Sequence, residues 1–209
     1  MKCEILPDLA SNWSDENEIY RMLDKCKELG IKFAKLQLFK KEQVRDAYWD
    51  NILTEEMAKR IFDYGTNLGL NVYFTPCYPE AVDICKRIGV KYYKIRFKDR
   101  NNPEIYEKLQ DVYEPIFVSC GGDPYDTLYC GMKNIIFLYC IHKYPAKYND
   151  YDKDLVLIHL GVSDHTPDLE MFKKWSWSCM YWEMHMASRK GTIEDKWSKT
   201  FNEIKELIE

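Results

Sequence analysis

Gly161-Val162-Ser163-Asp164-His165-Thr166 is answered twenty residues later by Glu183-Met184-His185. Each piece sits just past, or at the end of, an apolar run that reads as a β-strand, about Leu157–Val162 and about Cys179–Glu183. Two histidines at the ends of neighbouring strands are a metal-site geometry. The fold therefore turns on whether the rest of the chain supplies parallel strands around them.

Working back to the N-terminus, strand-like runs recur with helical segments between them. The strands are Lys2–Leu6, Phe33–Gln37, Asn71–Thr75, Tyr92–Arg96, Ile116–Ser119 and Ile135–Cys140. Asp15 and Glu18 are spaced as a capping box for a helix from Asp15 to Leu29, with Ile19, Met22, Leu23 and Cys26 on one face and Gly30 as the stop. Thr54 caps a second helix, and Pro79 opens a third that Gly89 ends. Short helices are expected over about Pro103–Gln110, Tyr125–Gly131, Asp152–Leu155 and Asp168–Lys174, and a closing helix over Ser198–Ile208. Strands alternating with helices pair in parallel through right-handed crossovers. Eight such units in 209 residues read as one domain, a compact (β/α)8 TIM barrel over residues 1–209. The sixth unit leaves least room for a helix, and an open doubly wound sheet is the alternative.

The formal net charge of −4 and the lack of a basic tract argue against a nucleic-acid partner. No apolar run approaches the roughly 18 residues of a membrane span, and the N-terminus shows no signal-peptide core, so a cytoplasmic protein is expected. The eight cysteines form no CxxC pair and read as reduced, mostly buried thiols.

In such a barrel the chemistry collects at the carboxyl ends of the strands. Reading off those positions gives Glu4 and Asp8; Lys35 and Gln37; Thr75; Lys94 and Arg96; Ser119; His142; Ser163, Asp164 and His165; Glu183 and His185. Lysines inside apolar strands are costly unless they face a ligand or partner. Three cations with three hydroxyls suit a phosphate or carboxylate. His165 and His185 suit a divalent metal, with Glu183 or Asp164 as the group that orients a ligating ring. Each residue alone also fits a plain strand end facing solvent. His142 reads as a hydrogen-bonding group and His159 as a core histidine within a strand. Cys120-Gly121-Gly122 reads either as an anion-binding turn or as a plain loop. Trp175, Trp177 and Trp182 read as core.

These residues resemble a family. Ala34-Lys35-Leu36-Gln37 resembles the lysine–glutamine strand of the sialic acid synthases, and Phe74-Thr75-Pro76 with Ala81-Val82-Asp83 is similar to their threonine–proline turn. Tyr93-Lys94-Ile95, Ser119-Cys120-Gly121, Cys140, Tyr144-Pro145, Ser163-Asp164-His165-Thr166 and Glu183-Met184-His185 follow in the family's order. The relatives make N-acetylneuraminic, legionaminic and pseudaminic acids. The resemblance implies a barrel that condenses phosphoenolpyruvate with an N-acyl mannosamine-type sugar. It implies a divalent metal, Mn2+ or Mg2+, on His165 and His185. Glu4, Lys35, His165 and His185 are the expected catalytic residues. Gln37, Thr75, Lys94, Arg96, Ser119, His142, Ser163 and Glu183 are the expected substrate contacts.

The chain also departs from the family's pattern. Its Asn-His becomes Asn12-Trp13, its serine three after the phosphate-binding lysine becomes Phe97, and the asparagine expected before Tyr-Pro is His142. Met184 stands for a basic residue, and the Pro-Asp-His loop is reduced to Glu194-Asp195-Lys196. The family's C-terminal antifreeze-like domain is expected to be absent. A homodimer or a partner chain would then supply the sugar lid. Two other readings stay open: a non-catalytic barrel binding a phosphorylated metabolite or sugar, and a different metal-dependent aldolase or lyase.

Overall fold

The structure is a computed structural model that describes residues 3–208. Eight parallel strands follow one another round a closed sheet: β1 (Glu4–Asp8), β2 (Phe33–Leu38), β3 (Asn71–Pro76), β4 (Tyr93–Ile95), β5 (Ile116–Cys120), β6 (Ile135–Cys140), β7 (Gly161–Asp164) and β8 (Tyr181–Ala187). Each pairs with its neighbour in sequence, and β8 pairs with β1 to close the ring. The (β/α)8 barrel is the observed fold, and the open sheet is excluded by that closure. A two-residue strand, β9 (Lys199–Thr200), runs beside the end of β8.

The helices form where the sequence signals them. Asp15 caps α1 (Glu16–Glu28), its side chain accepting from the Glu18 amide. Thr54 caps α2 (Glu55–Asn67), and α3 (Pro79–Ile88) starts on proline and ends on Gly89 at φ +86°. They are followed by α4 (Pro103–Leu109), α5 (Lys153–Ile158), α6 (Glu170–Trp175) and α7 (Phe201–Ile208). The thinnest crossover is the fifth, not the sixth. Residues 124–131 make two short 3-10 turns and no α-helix, whereas the sixth unit holds α5.

Three strands lie two or more residues away from the sequence reading, each for a physical reason. The first strand runs to Asp8, through Pro7 and an aspartate that strand propensity disfavours; Lys2 lies outside the described residues. Leu157 and Ile158 belong to α5, because Asp152 caps it by accepting from the Asp154 and Leu155 amides. His159 is thus a helix end rather than a strand residue, although it is buried and its Nδ1 lies 2.7 Å from the Leu155 carbonyl. The eighth strand continues to Ala187, because Glu183 and His185 point into the barrel while Trp182, Met184 and Met186 join the outer core.

Strand alternation splits the buried residues into two bodies. Outward side chains such as Leu36, Phe74, Val118 and Trp182 pack on the helices. Inside the barrel, Leu6, Phe33, Tyr73, Tyr92, Phe117, Leu138 and Tyr181 form an apolar floor toward the amino ends of the strands. Phe33 meets Tyr92 edge-on at 5.1 Å, and Tyr92 stacks on Phe117 at 6.0 Å. All eight cysteines are free, and six are buried. Trp177, expected in the core, is 70% exposed. Among the described residues no helix is long and apolar enough to cross a membrane.

Gly161 opens β7 where β6 and β8 crowd closest. A Cβ there would meet the Leu138 Cδ2 at 2.6 Å and the Tyr181 carbonyl oxygen at 2.7 Å. Gly161→Val is expected to destabilise the barrel by about 2 kcal/mol or more, as overpacking against backbone does. Urea denaturation of the two proteins measures the difference.

Candidate active site

Above the apolar floor lies a layer of charge that strand register assembles. Asp8 on β1 is level with Lys35 on β2 and with His185 on β8, and Ser163 on β7 is level with Glu183 on β8. The Lys35 Nζ sits 2.6 Å from Asp8 Oδ2 and 3.2 Å from Glu183 Oε2. The Lys94 Nζ lies 3.4 Å from Glu183 Oε1 and donates to the Ser119 hydroxyl at 2.6 Å and the Ile95 carbonyl at 3.0 Å. Ser163 donates to Glu183 Oε1 at 2.7 Å. All four charged side chains are buried.

The two lysines are not equivalent. Burial drives both ammonium groups toward the neutral form. At Lys35 the Asp8 and Glu183 carboxylates outweigh burial, and its pKa is raised. At Lys94 burial prevails, Glu183 compensates only in part, and Lys35 repels, so its pKa is lowered. Lys94 is therefore the cation with most to gain from an incoming anion. Burial opposes the charge on Glu183, but Lys35 and Lys94 overcome it and hold the carboxyl at about 2.

His165 and His185 adjoin this layer with ring centroids 5.5 Å apart. The Nδ1 of His165 lies 2.9 Å from the Ile141 carbonyl oxygen. The Nδ1 of His185 lies 2.7 Å from Glu194 Oε2, and its Nε2 lies 3.6 Å from Asp8 Oδ2. With Nδ1 as the donor on both rings, each is left with Nε2 as its lone-pair nitrogen. Burial, then the neighbouring His185, pushes His165 well below its ordinary pKa, so it is neutral as a ligand must be. Burial also opposes the charge on His185, but Glu194 and Asp8 raise its pKa. Two rings with engaged Nδ1 atoms leave two Nε2 atoms that would fit a divalent metal once both are deprotonated. Among the described residues no group of three His, Cys, Asp or Glu is placed to hold a metal ion.

These groups line a cavity of about 280 Å³ at the carboxyl ends of the strands. Of the sequence-predicted residues it gathers Lys35, Gln37, Lys94, Arg96, Ser119, His142, Ser163, His165, Glu183 and His185. Gln37 donates to Asp8 at 3.2 Å, Arg96 Nε to Asp99 at 2.5 Å, and His142 stacks on Phe97 at 5.2 Å. Asp8 is gathered there too, whereas three of the residues, Glu4, Thr75 and Asp164, are not brought to the wall. Glu4 starts β1 at the opposite end of the barrel and pairs with Lys32 at the surface; the two-residue shift of β1 makes Asp8 the acidic group of the site. Thr75 is fully buried beside Gln37 in register, its hydroxyl without a partner, and does not line the cavity. Gly121 and Gly122 also lie outside the lining.

Orientation of the rings comes from elsewhere than expected. Glu183 spans the lysines. Asp164 accepts from the Thr166 amide and hydroxyl and from the Trp182 indole, and pairs with the buried Lys199. The group that holds His185 is Glu194, on the loop after β8. Tyr144, Trp197, Arg45 and Tyr48 complete the mouth. Tyr144 covers His165 at 4.1 Å and meets Trp197 at 5.6 Å. No spacing rule marks Glu194 or Trp197; a loop carboxylate acquires its meaning only when the fold places it beside a histidine.

A closed β/α barrel with a buried cation–carboxylate layer beside paired histidines belongs to the class whose site lies at the carboxyl rim. The NeuB family profile matches residues 22–209, and the chain belongs to that family. It is 27% identical to the uncharacterized protein MJ1065 of Methanocaldococcus jannaschii over 71% of this chain, and spans about half (50%) of that protein's length. It is 23% identical to the pseudaminic acid synthase of Helicobacter pylori, covering 99% of this chain and 72% of that one. The fold is similar to that of the N-acetylneuraminic acid (sialic acid) synthetase of Leptospira borgpetersenii, crystallised with citrate. The TM-score is 0.86 at 18% identity, over 100% of this chain and 82% of that one.

The low pKa of Glu183 makes stability depend on pH. Its charge stabilises the fold fully above the ordinary carboxyl value of 4.5, and that contribution drains as pH falls from 4.5 toward about 2. Urea unfolding across this range should show a loss of stability that Glu183→Gln flattens; parallel curves for the two proteins would contradict the assignment.

Proposed function

We propose that this chain condenses phosphoenolpyruvate with an N-acyl mannosamine-type sugar aldehyde, giving a sialic-acid-like sugar acid and phosphate. The observation that carries this reading is the meeting in one cavity of the buried Lys35 and Lys94 with two histidines whose Nδ1 atoms are engaged. Membership of the NeuB family and the pseudaminic acid synthase relative support the reaction class.

In this reading Lys94, Ser119 and Ser163 receive the anionic groups of phosphoenolpyruvate, and Arg96 adds a guanidinium at the β4 side of the cavity. Lys35 stays charged through Asp8 and Glu183 and keeps the enol end fixed by electrostatics. His165 and His185 would hold Mn2+ or Mg2+, which when bound polarises the sugar carbonyl as a Lewis acid. The enol carbon forms the new C–C bond to the aldehyde carbon, whose oxygen becomes a hydroxyl; water adds to the resulting cationic carbon, the C–O bond to phosphate breaks as that carbon collapses to the ketone, and the two protons of the water end on the new hydroxyl and on the phosphate. Asp8 is the carboxylate assigned here to accept the proton of that water; the resemblance implied Glu4 only as an acidic catalytic residue. Tyr144 and Trp197 narrow the mouth and limit water at the reacting carbon.

Calorimetric titration of phosphoenolpyruvate, with and without Mn2+, tests the reading, followed by phosphate release on adding N-acyl mannosamines. Binding and sugar-dependent release support it. A folded protein that binds no phosphoenolpyruvate at millimolar ligand favours the non-catalytic barrel, a reading motivated by Phe97 where the family has serine. Lys94→Ala should weaken phosphoenolpyruvate by about 1.5–3 kcal/mol, the size of a charged hydrogen bond. His165→Ala and His185→Ala should each abolish Mn2+ binding while leaving the circular dichroism spectrum unchanged; full affinity in both would place the metal elsewhere.

A further inference from the structure

The loop that follows β8 is tied to the loop that follows β1 by one buried hydrogen-bonded knot. Asn12, fully buried, donates through Nδ2 to the Ser198 hydroxyl at 2.9 Å, to the Met186 carbonyl at 3.2 Å and to Glu194 Oε2 at 3.4 Å. Its Oδ1 accepts from the Glu194 amide at 3.2 Å. Ser198 in turn donates to the Glu194 carbonyl at 2.8 Å. Asn12 thus grips the backbone and the side chain of Glu194 at once. The Glu194 carboxylate is 7% exposed as a residue and its Oε2 faces the His185 Nδ1 at 2.7 Å.

We infer that Glu194 is a positioning residue for His185, and that Asn12 fixes Glu194 for that task. The chain of contacts is Asn12 to Glu194 to His185, and it ends on a nitrogen in the cavity wall. A carboxylate on Nδ1 fixes the tautomer with its lone pair on Nε2, restrains ring rotation and raises the donor strength of that nitrogen. His165 has a peptide carbonyl in the equivalent place, a weaker acceptor. The two rings are therefore unequal: His185 is the stronger, firmly oriented donor, and His165 the weaker one. The inference also absorbs two features that the sequence comparison left without a role. Asn12 is what remains of the family's Asn-His pair, and Glu194 stands in the shortened loop. Trp13, in place of the histidine, donates its indole proton to the Ala10 carbonyl at 2.9 Å and holds the turn that carries Asn12. Ala10 itself takes φ +41°, a conformation that costs a non-glycine residue, and the Asp8 carboxylate caps its amide at 3.0 Å.

The cation half of this inference rests on the proposed function; the hydrogen bond does not. The experiment therefore has two arms on the full chain. Long-range 1H–15N spectra of the metal-free protein report which His185 nitrogen carries the proton. The wild type should hold it on Nδ1, and Glu194→Ala should mix the tautomers while leaving the thermal unfolding curve cooperative. Mn2+ affinity, read by electron paramagnetic resonance of the free ion, should fall about 10–100-fold in Glu194→Ala, the range for loss of such a partner. Glu194→Gln, which retains an acceptor oxygen, should recover most of that loss. Ser198→Ala, which disturbs the same knot without touching His185, should change affinity far less. A wild-type proton on Nε2, or an equal loss in Glu194→Ala and Ser198→Ala, overturns the positioning role. A wild type that binds no Mn2+ overturns the metal reading, and the spectra still decide the Glu194–His185 contact.

Discussion

Four buried charges, Lys35, Lys94, Asp8 and Glu183, are the constraint around which the rest of the barrel is arranged. Each ion taken from water costs several kcal/mol, and only close opposite charge and hydrogen bonding offset that. Within the layer the charges cancel in number, two against two, but not in placement. Lys35 has two carboxylates near it, while Lys94 shares one at 3.4 Å and leans on a hydroxyl and a carbonyl. This unevenness is affordable because the register of β1, β2 and β8 is fixed by the apolar floor beneath and the helix-facing core outside. A one-residue slip would exchange the charged faces for the apolar ones.

The fold was legible wherever one periodicity ruled. Helices α1 to α3 carry caps, stops and apolar stripes that coincide, and β6 falls where its uninterrupted apolar run lies. The readings that failed share a cause. Asp8, Glu183 and His185 are polar residues inside strands, and a strand read by hydrophobicity ends where its functional residues begin. Hence β1 and β8 were placed too early, and Glu4 was set in the role of Asp8. The lysines survived because their neighbours are strongly apolar. Glu194 and Trp197 could not be read at all, since their positions depend on how a loop returns over the barrel rather than on any local pattern.

The mouth shows how the departures from the family pattern fit together. The Arg100 guanidinium lies 4.1 Å over the Phe97 ring, Phe97 stacks on His142, His142 meets Tyr144 edge-on at 5.6 Å, and Tyr144 covers His165. Phe97 in place of a hydroxyl and His142 in place of an amide are thus one change, not two: each ring supplies the other's packing face. The same wall lowers the pKa of His142, through partial burial and then the charges of Lys98, Arg100 and Arg96. Hydrogen bonding on that side passes to Arg96, itself braced by Asp99.

The floor of Phe33, Tyr73, Tyr92, Phe117 and Tyr181 has a kinetic consequence. A tube stoppered at one end has a single door. Whatever occupies the cavity comes and goes on the side of the carboxyl ends of the strands, and a ring of aromatic side chains at the other end sets that direction without any conformational signal.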